Sequence, residues 1–392
     1  MKRYDVVIAG GAMAGATLAL ALNARSSQPL TIAVIESYQA QHQAHPGYDS
    51  RSIALSYGTV ALLKEMALWG GIEPYAVAIE HIQVSDRSHA GMLEMQADEL
   101  GLDALGYVVE LADVGRIYHH QLTRADNIDF LCPLSVTSVQ REQEQVVLQL
   151  SDGQAVQASL LVAADGTHSA CCQALGLAQS EYDFGQVAVI ANISPEQAHF
   201  GRAFERFTEY GPLALLPMSD NRMSLVWCLS PEQSERVLQL GDEAFLQQLQ
   251  QAFGWRLGAL TQVGERASYP LWLRTRDEIV SHRTAVIGNA AQTLHPIAGQ
   301  GFNLGIRDVA SLAEEIIAAP GDVGDYALLS RYRQRREQDR EQTISLTAGL
   351  VHTFSNDYPA MRIGRNLGLM IMDSVSTLRA PLLRRTMGLV ER

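Results

Sequence analysis

Cysteine is scarce in this sequence: four in 392 residues, Cys132, Cys171, Cys172 and Cys228, with no C-x-x-C pair. That spacing supplies neither a disulfide framework nor a zinc site, and it fits a reducing compartment. Positive charge is also short, with 30 Lys and Arg against 43 Asp and Glu and a net charge of -13. An acidic surface repels phosphate backbones, so nucleic acid is not an expected partner. No apolar run approaches the ~18 residues that cross a bilayer; Leu367 to Met372 is far too short. No H-E-x-x-H and no G-x-S-x-G occurs, which argues against a zinc protease and a Ser-His hydrolase. No metal site is expected. The chain opens directly on a strand pattern, which leaves no room for a leader and makes the cytoplasm the expected location.

What is present is a composition that folds, 47% hydrophobic and 19% charged. Tyr4 to Ala9 reads as a buried strand, Ala14 to Ala24 as a helix, and Leu30 to Ile35 as a second strand ending at Glu36. Gln39 to Asp49 reads as a loop. Val146 to Leu150 and Ala155 to Ala158 flank the turn Ser151-Asp152-Gly153 as a hairpin, and Leu160 to Ala164 reads as a further strand. Val187 to Ile193, Arg202 to Thr208, Gly211 to Pro217 and Met223 to Cys228 suggest an antiparallel sheet, with a helix at Phe245 to Phe253. Thr284 to Ile287 is another buried strand, Gly305 to Ala318 a helix, and Ser330 to Glu341 carries opposite charges at helical spacing. Parallel-sheet elements at both ends thus enclose antiparallel elements in the middle.

Between the first strand and its helix lies Gly10-Gly11-Ala12-Met13-Ala14-Gly15, close to G-x-G-x-x-G, with Ala12 at the second glycine. Gly10 permits a tight turn and Gly15 a close helix–strand contact. The helix N-terminus then offers free N–H groups to a diphosphate. Glu36, about twenty residues further on, suits the ribose hydroxyls of an adenine nucleotide.

Two later segments narrow this reading. Leu160 to Ser169, LLVAADGTHS, puts Asp165-Gly166 at a strand end, and Gly288 to Asp308, GNAAQTLHPIAGQGFNLGIRD, joins a strand to a helix. Together with the first motif they resemble the FAD-dependent aromatic hydroxylases, and HPIAGQGFNLGIRD resembles the ubiquinone-biosynthesis members. Gly201 to Asp220, AFGWRLG and GRNLGLM are similar to the 2-octaprenyl-6-methoxyphenol hydroxylase branch. The chain departs from the family pattern where Asn289 replaces an Asp, where Gln292 replaces a common His, and where Cys172 lies near a usual Arg.

The resemblance implies an α/β (α+β composite) fold. A Rossmann-like FAD domain (1–78, 108–178, 273–345) would be interrupted by an antiparallel-sheet substrate domain (79–107, 179–272), with a C-terminal helical segment (346–392). It implies FAD, held by Gly10, Gly11, Ala12, Met13, Ala14, Gly15, Glu36, Arg51, Asp165, Gly166, Asn289, Gly299, Gln300, Gly301, Phe302 and Asn303. NADPH or NADH would be the reductant, O₂ the oxidant and a prenylated phenol the substrate, giving the 1,4-benzoquinol. His295 and Pro296, beside the expected flavin ring, are the candidate catalytic residues, His295 either tuning a proton transfer or packing, and Phe204, Leu215, Pro217 and Trp227 line the expected ring site, together with Phe207 and Tyr210. Two alternatives stay open: a sister hydroxylase acting at another carbon, and a non-catalytic flavin-binding subunit of a quinone-synthesis assembly. The stretch from Ala360 to Arg392 interleaves apolar residues with Arg362, Arg365, Arg379, Arg384 and Arg385. It suits an anionic inner-membrane surface, another protein of ubiquinone biosynthesis, or plain packing on the nucleotide domain.

Overall fold

The computed structural model describes residues 1–39, 51–87, 91–354 and 383–390. The loop expected from Gln39 onward therefore lies almost wholly outside the described residues, as does GRNLGLM. Of the five C-terminal arginines, Arg384 and Arg385 are described; Arg385 donates to Gln342.

One sheet is built on Lys2–Ala9, which runs parallel to Ile32–Ile35 on one side and to Ala155–Ala163 on the other. Ile128–Leu131 and Thr284–Val286 extend it in parallel at the two flanks. From Val6 to Ala9 this central strand is buried on both faces, as strands flanked by crossover helices must be. The helix Met13–Arg25 buries Ala16 to Leu22 against the sheet and packs on the helix Gln300–Ala318. A strand from the far end of the chain thus completes a sheet begun at the N-terminus, as the enclosed arrangement requires.

Ala155 to Ala158 and Leu160 to Ala164 are one nine-residue strand, Ala155–Ala163. Its start alternates in burial, where it pairs with the hairpin partner Val146–Leu150; its end is buried throughout. The change of period records a switch from one covered face to two, not a break in the chain.

A second, long sheet carries Ser180–Pro195, Arg202–Thr208, Gly211–Pro217, Met223–Leu229 and Ala267–Thr275. It is antiparallel apart from the pairing of Arg202–Thr208 with His81–Asp86, which is parallel. The helices Pro231–Leu238 and Asp242–Phe253 cover one of its faces. A small third sheet joins Ser52–Ser56, Val77–Ile79 and Gly106–Glu110.

Two helices close the described fold. Gln300–Ala318 begins a turn and more before the expected Gly305, because Gly299 in the left-handed region (φ 61°) starts it. Tyr326–Phe354 runs unbroken through the division expected at 345/346. Between them lies a buried ionic cluster: Arg336 meets Asp308 at 2.8 Å and Asp339 at 2.7 Å, and Arg307 meets Asp339 at 2.7 Å. Gln292 joins it, donating to Asp308 at 2.6 Å and accepting from Arg340 at 2.7 Å. Its amide therefore serves the helix pair rather than a ligand. Among the described residues no helix is long and apolar enough to cross a membrane, and no cluster of His, Cys, Asp and Glu has metal-site geometry.

Candidate functional site

The three glycine-bearing corners meet. Gly10 has φ 100°, and a Cβ there would stand 2.3 Å from the carbonyl oxygen of Ala164, beside Asp165. A Cβ on Gly15 would stand 1.9 Å from the Gly10 carbonyl oxygen, so the helix could not approach its strand. Gly288, also at positive φ, faces Ala14, and Gly305 faces Gly288. Backbone from all three segments is thus drawn into one place where side chains do not fit.

The polar groups there remain free for a ligand in part. The helix Met13–Arg25 starts at Ala12 and the helix Gln300–Ala318 at Gly299, and neither has a side-chain cap. Two sets of unmet N–H groups therefore open on the same region. Ala12 is exposed and takes an ordinary φ of -75°, so a methyl group is tolerated at the second glycine position without strain. Glu36 accepts the Gly11 N–H at 2.8 Å through one carboxylate oxygen and the Tyr38 N–H at 2.9 Å through the other. The contact pins the turn and leaves lone pairs for hydroxyl donors. Asp165 accepts the Cys171 N–H at 3.0 Å through Oδ2, while its Oδ1 is buried without a hydrogen-bond partner among the described residues. Gly166 adopts φ 80° and Asn289 is exposed at the mouth of the same region. Met13, Ala14 and Phe302 are half-buried against the main core, and a Cβ on Gly301 would meet nothing closer than 4.0 Å.

Other expected ligand-holding side chains turn back on the chain. Asn303 accepts the Ser56 N–H at 2.9 Å and donates to the carbonyls of Ala54 and Gly299. Gln300 donates to the Ala298 and Thr386 carbonyls, both at 3.1 Å. Each is buried, so what these two offer a ligand is backbone N–H. Arg51 is half-buried at the head of Ser52–Ser56, close enough to Tyr269 for its charge to act on that phenol.

His295 is fully buried. Its Nδ1 accepts the Ile297 N–H at 3.2 Å, so Nε2 carries the proton and donates to Gln186 Oε1 at 2.8 Å. The Gln186 amide nitrogen donates in turn to the Tyr210 carbonyl at 2.8 Å, which fixes that amide's orientation. Phe184 meets the imidazole edge-on at 5.1 Å. Burial pushes the His295 pKa down to about 4. The ring is a neutral bolt between the long sheet and the turn that Pro296 leads into, with both nitrogens committed within the protein.

Most of the expected ring-site residues lie on the helix-covered face of the long sheet. Phe204, Leu215 and Trp227 join Leu213, Leu225, Phe245, Leu249 and Phe253 in a sealed cluster under the helix Asp242–Phe253. Phe204 meets Phe253 at 5.2 Å and Trp227 meets Phe245 at 6.1 Å. Pro217 pairs with Met223, a member of that cluster, and Tyr210 packs against its edge. Phe207 points the other way and stacks on Phe354 at 3.9 Å. Along a strand successive side chains take opposite faces, and the large apolar ones marked the face that a helix covers.

The opposite face is less completely covered. One row across the sheet reads Val84, Glu205, Ala214, Val226, Ile190. All five are half-buried although their strands are central. Above the row lies the turn Pro296 to Gly299: Ile297 packs with Phe207 and Val84, and Ala298 lies near enough for its N–H to act on the Glu205 carboxylate. Tyr269, paired with Ala188 on this face, keeps 36% of its surface, yet its phenol is enclosed enough to be pushed up to about 12 by burial and by Cys228, against the pull of Arg51. Sequence reading missed Glu205, Tyr269 and Ala214. The available signal was a lone carboxylate in the middle of the apolar strand RAFERFT.

Comparison with known proteins agrees in extent. A family model described as FAD binding domain matches residues 3–347. The chain is 36% identical over 391 residues to ubiquinone hydroxylase UbiL of Rhodospirillum rubrum, covering 99% of this chain and 90% of that protein. It is 30% identical over 394 residues to 3-demethoxyubiquinol 3-hydroxylase of Escherichia coli, covering 98% of each. Among solved structures, p-nitrophenol 4-monooxygenase PnpA of Pseudomonas putida superposes with a TM-score of 0.81 at 18% identity, over 98% of this chain and 99% of that one, a likeness of fold.

Proposed function

The chain belongs to the FAD-dependent aromatic hydroxylases of ubiquinone biosynthesis, and on that footing we propose that it hydroxylates a polyprenylated methoxyphenol para to its hydroxyl, giving the 1,4-benzoquinol. It is a flavoprotein monooxygenase that uses FAD and NAD(P)H. When bound, FAD would provide the redox chemistry by which electrons from NAD(P)H activate O₂, one oxygen atom going to the ring and the other to water.

The residues of this chain fit that group. The convergence of Gly10, Gly15 and Gly288 leaves backbone, not side chains, against a diphosphate. Asp165 Oδ1, buried and unpartnered among the described residues, suits a ribityl hydroxyl, and Glu36 suits the adenosine ribose. We assign the N–H groups from Gly299 to Phe302 to the electron-accepting end of the flavin, where a helix N-terminus stabilises negative charge. Arg51 adds a cation there. His295 and Pro296 act by holding the turn in place, since His295 has no nitrogen to spare.

The observation that carries the proposal is the half-open row Val84, Glu205, Ala214, Val226 and Ile190 beneath the turn Pro296 to Gly299. Small and aliphatic side chains leave room for a flat ring and keep water away from it. A division of labour follows: the parallel sheet and its helices hold the nucleotide, and the long sheet roofs the substrate. We keep the boundaries near residues 78, 107, 178 and 272, and draw the last one beyond Phe354 instead of at 345, because the helix Tyr326–Phe354 is a single unit.

A second reading is a sister hydroxylase acting at another carbon, which the similarity to 3-demethoxyubiquinol 3-hydroxylase favours. Purified FAD-loaded protein is expected to oxidise NAD(P)H only when a prenylated methoxyphenol is present, and to release a product one oxygen heavier with the new hydroxyl para to the old. A hydroxyl at any other carbon selects the sister reading.

A further inference from the structure

We propose that Glu205 is a catalytic residue that accepts the proton of the substrate's phenolic hydroxyl; the proposal rests on the hydroxylase reading above. The side chain projects from the middle of the half-buried row, between Val84 and Ala214, with Ala203 and Phe207 on the same face of its own strand. It is the sole ionisable member of the row. The neighbouring Arg206 faces the other side of the sheet and donates to the Ala252 carbonyl at 2.9 Å, so the carboxylate has no adjacent cation on its strand. Ile297 packs on Val84 and Phe207, which flank Glu205 on that face, and the next residue, Ala298, leads into the uncapped helix at Gly299 with its N–H near enough to act on the carboxylate. The carboxylate and the region assigned to the flavin ring therefore share one short turn.

An acid that served only to hold the fold would be expected to face a cation or several donors. Here an apolar row encloses it instead. Burial pushes its pKa up to about 7, with the Ala298 N–H acting against that rise. An acid of that strength is divided between its two forms near neutral pH, which suits a general base. The other titratable or charged groups on the surrounding elements are Asp86 on His81–Asp86, Cys228 on Met223–Leu229, Tyr269 on Ala267–Thr275, Arg51 at the head of Ser52–Ser56, and His295 beside the turn. Burial raises both the Cys228 thiol and the Tyr269 phenol and lowers His295, so these three stay neutral near pH 7.

The step balances as follows. The phenolic O–H bond breaks and its proton passes to a Glu205 oxygen. The freed electron pair moves into the ring, and the para carbon forms a bond to one oxygen atom derived from O₂ as the bond between the two oxygen atoms breaks. The hydrogen on that carbon leaves as a proton when the ring regains aromaticity, and Glu205 returns its own proton to the original oxygen. NAD(P)H supplies two electrons, and the second oxygen atom leaves as water.

Glu205→Gln is expected to retain FAD while hydroxylation falls about 100-fold. Wild-type kcat/KM is expected to fall on the acid side of about pH 7, a limb that should disappear in Glu205→Gln, and Glu205→Asp should restore part of the rate. The ultraviolet spectrum of a bound phenol should show ionisation in the wild type and not in Glu205→Gln, a change that a merely structural role would not produce. Unimpaired hydroxylation with an unchanged acid limb in Glu205→Gln overturns this proposal alone. FAD-loaded wild type that hydroxylates no phenol overturns the hydroxylase reading and this proposal with it. If Glu205→Gln does not fold, the Asp variant decides: an unchanged rate and acid limb overturn the assignment.

Discussion

The two faces of the long sheet are made from the same strands and do opposite things. On one face Phe204, Leu213, Leu215, Leu225 and Trp227 close against the helix Asp242–Phe253. On the other, Ala214, Val226 and Ile190 leave space around Glu205, and Gln186 reaches across to His295. Apolar bulk therefore marks the face that stabilises, and small side chains with a few placed polar groups mark the face that binds. Substitutions on the two faces should separate stability from activity.

The largest effect is expected on the sealed face. Trp227→Ala removes a large, nearly buried ring next to Phe245. The lost burial and the cavity left behind should cost about 3–5 kcal/mol of stability. Denaturant unfolding measures this directly. Because Trp227 lies on the helix-covered face, the KM for the phenol at a temperature where the variant is folded should stay near wild type. A raised KM with unchanged stability would break the distinction between the faces.

That distinction also shows what was legible in the sequence. The turn Gly10 to Gly15, the strand end at Asp165 and the segment from Gly288 could be read because their function depends on backbone, and glycine announces backbone directly. The roof was harder to read because a two-residue period gives two faces without saying which one a helix will cover. Phe204 and Trp227 were expected at the ring site as members of an apolar group on the sheet that the family resemblance makes its roof, although each taken singly suited the core, where it lies. For Asn303 and Gln300 the residue types were visible, but the direction of each amide depends on Ser56, Ala54 and Thr386, which are distant in sequence. Glu205 was visible as a carboxylate in an apolar strand, yet its meaning required knowing that Ala298 lies over it.

A second effect concerns the bolt between the faces of the site. His295 in the unfolded chain takes a proton near pH 6.5, whereas in the folded protein burial lowers its pKa to about 4. The unfolded state therefore binds the proton first as pH falls. The stability associated with a neutral His295 is complete above about pH 6.5 and is lost progressively down to about pH 4, to the extent of about 3 kcal/mol. Urea midpoints measured between pH 7 and 4.5 should fall more steeply in the wild type than in His295→Gln. Equal slopes would mean that the imidazole is not held neutral by its surroundings.

The smallest change in stability, and the sharpest contrast, is expected from Ala214→Leu. Ala214 pairs with Glu205 and Val226 and is half-buried, so its methyl group is not fully enclosed by neighbours. Adding three carbons to a close-packed interior usually costs about 1–3 kcal/mol, but here they enter the less completely covered face and the change should stay within about 1 kcal/mol. The same atoms occupy volume assigned to the aromatic ring. Affinity for the phenol should fall at least tenfold, about 1.4 kcal/mol, while FAD content is unchanged because the glycine corners lie elsewhere. Thermal unfolding and a phenol titration on one preparation give both numbers. A large loss of stability would show that the row is packed like the opposite face, whereas an unchanged affinity would place the ring outside it.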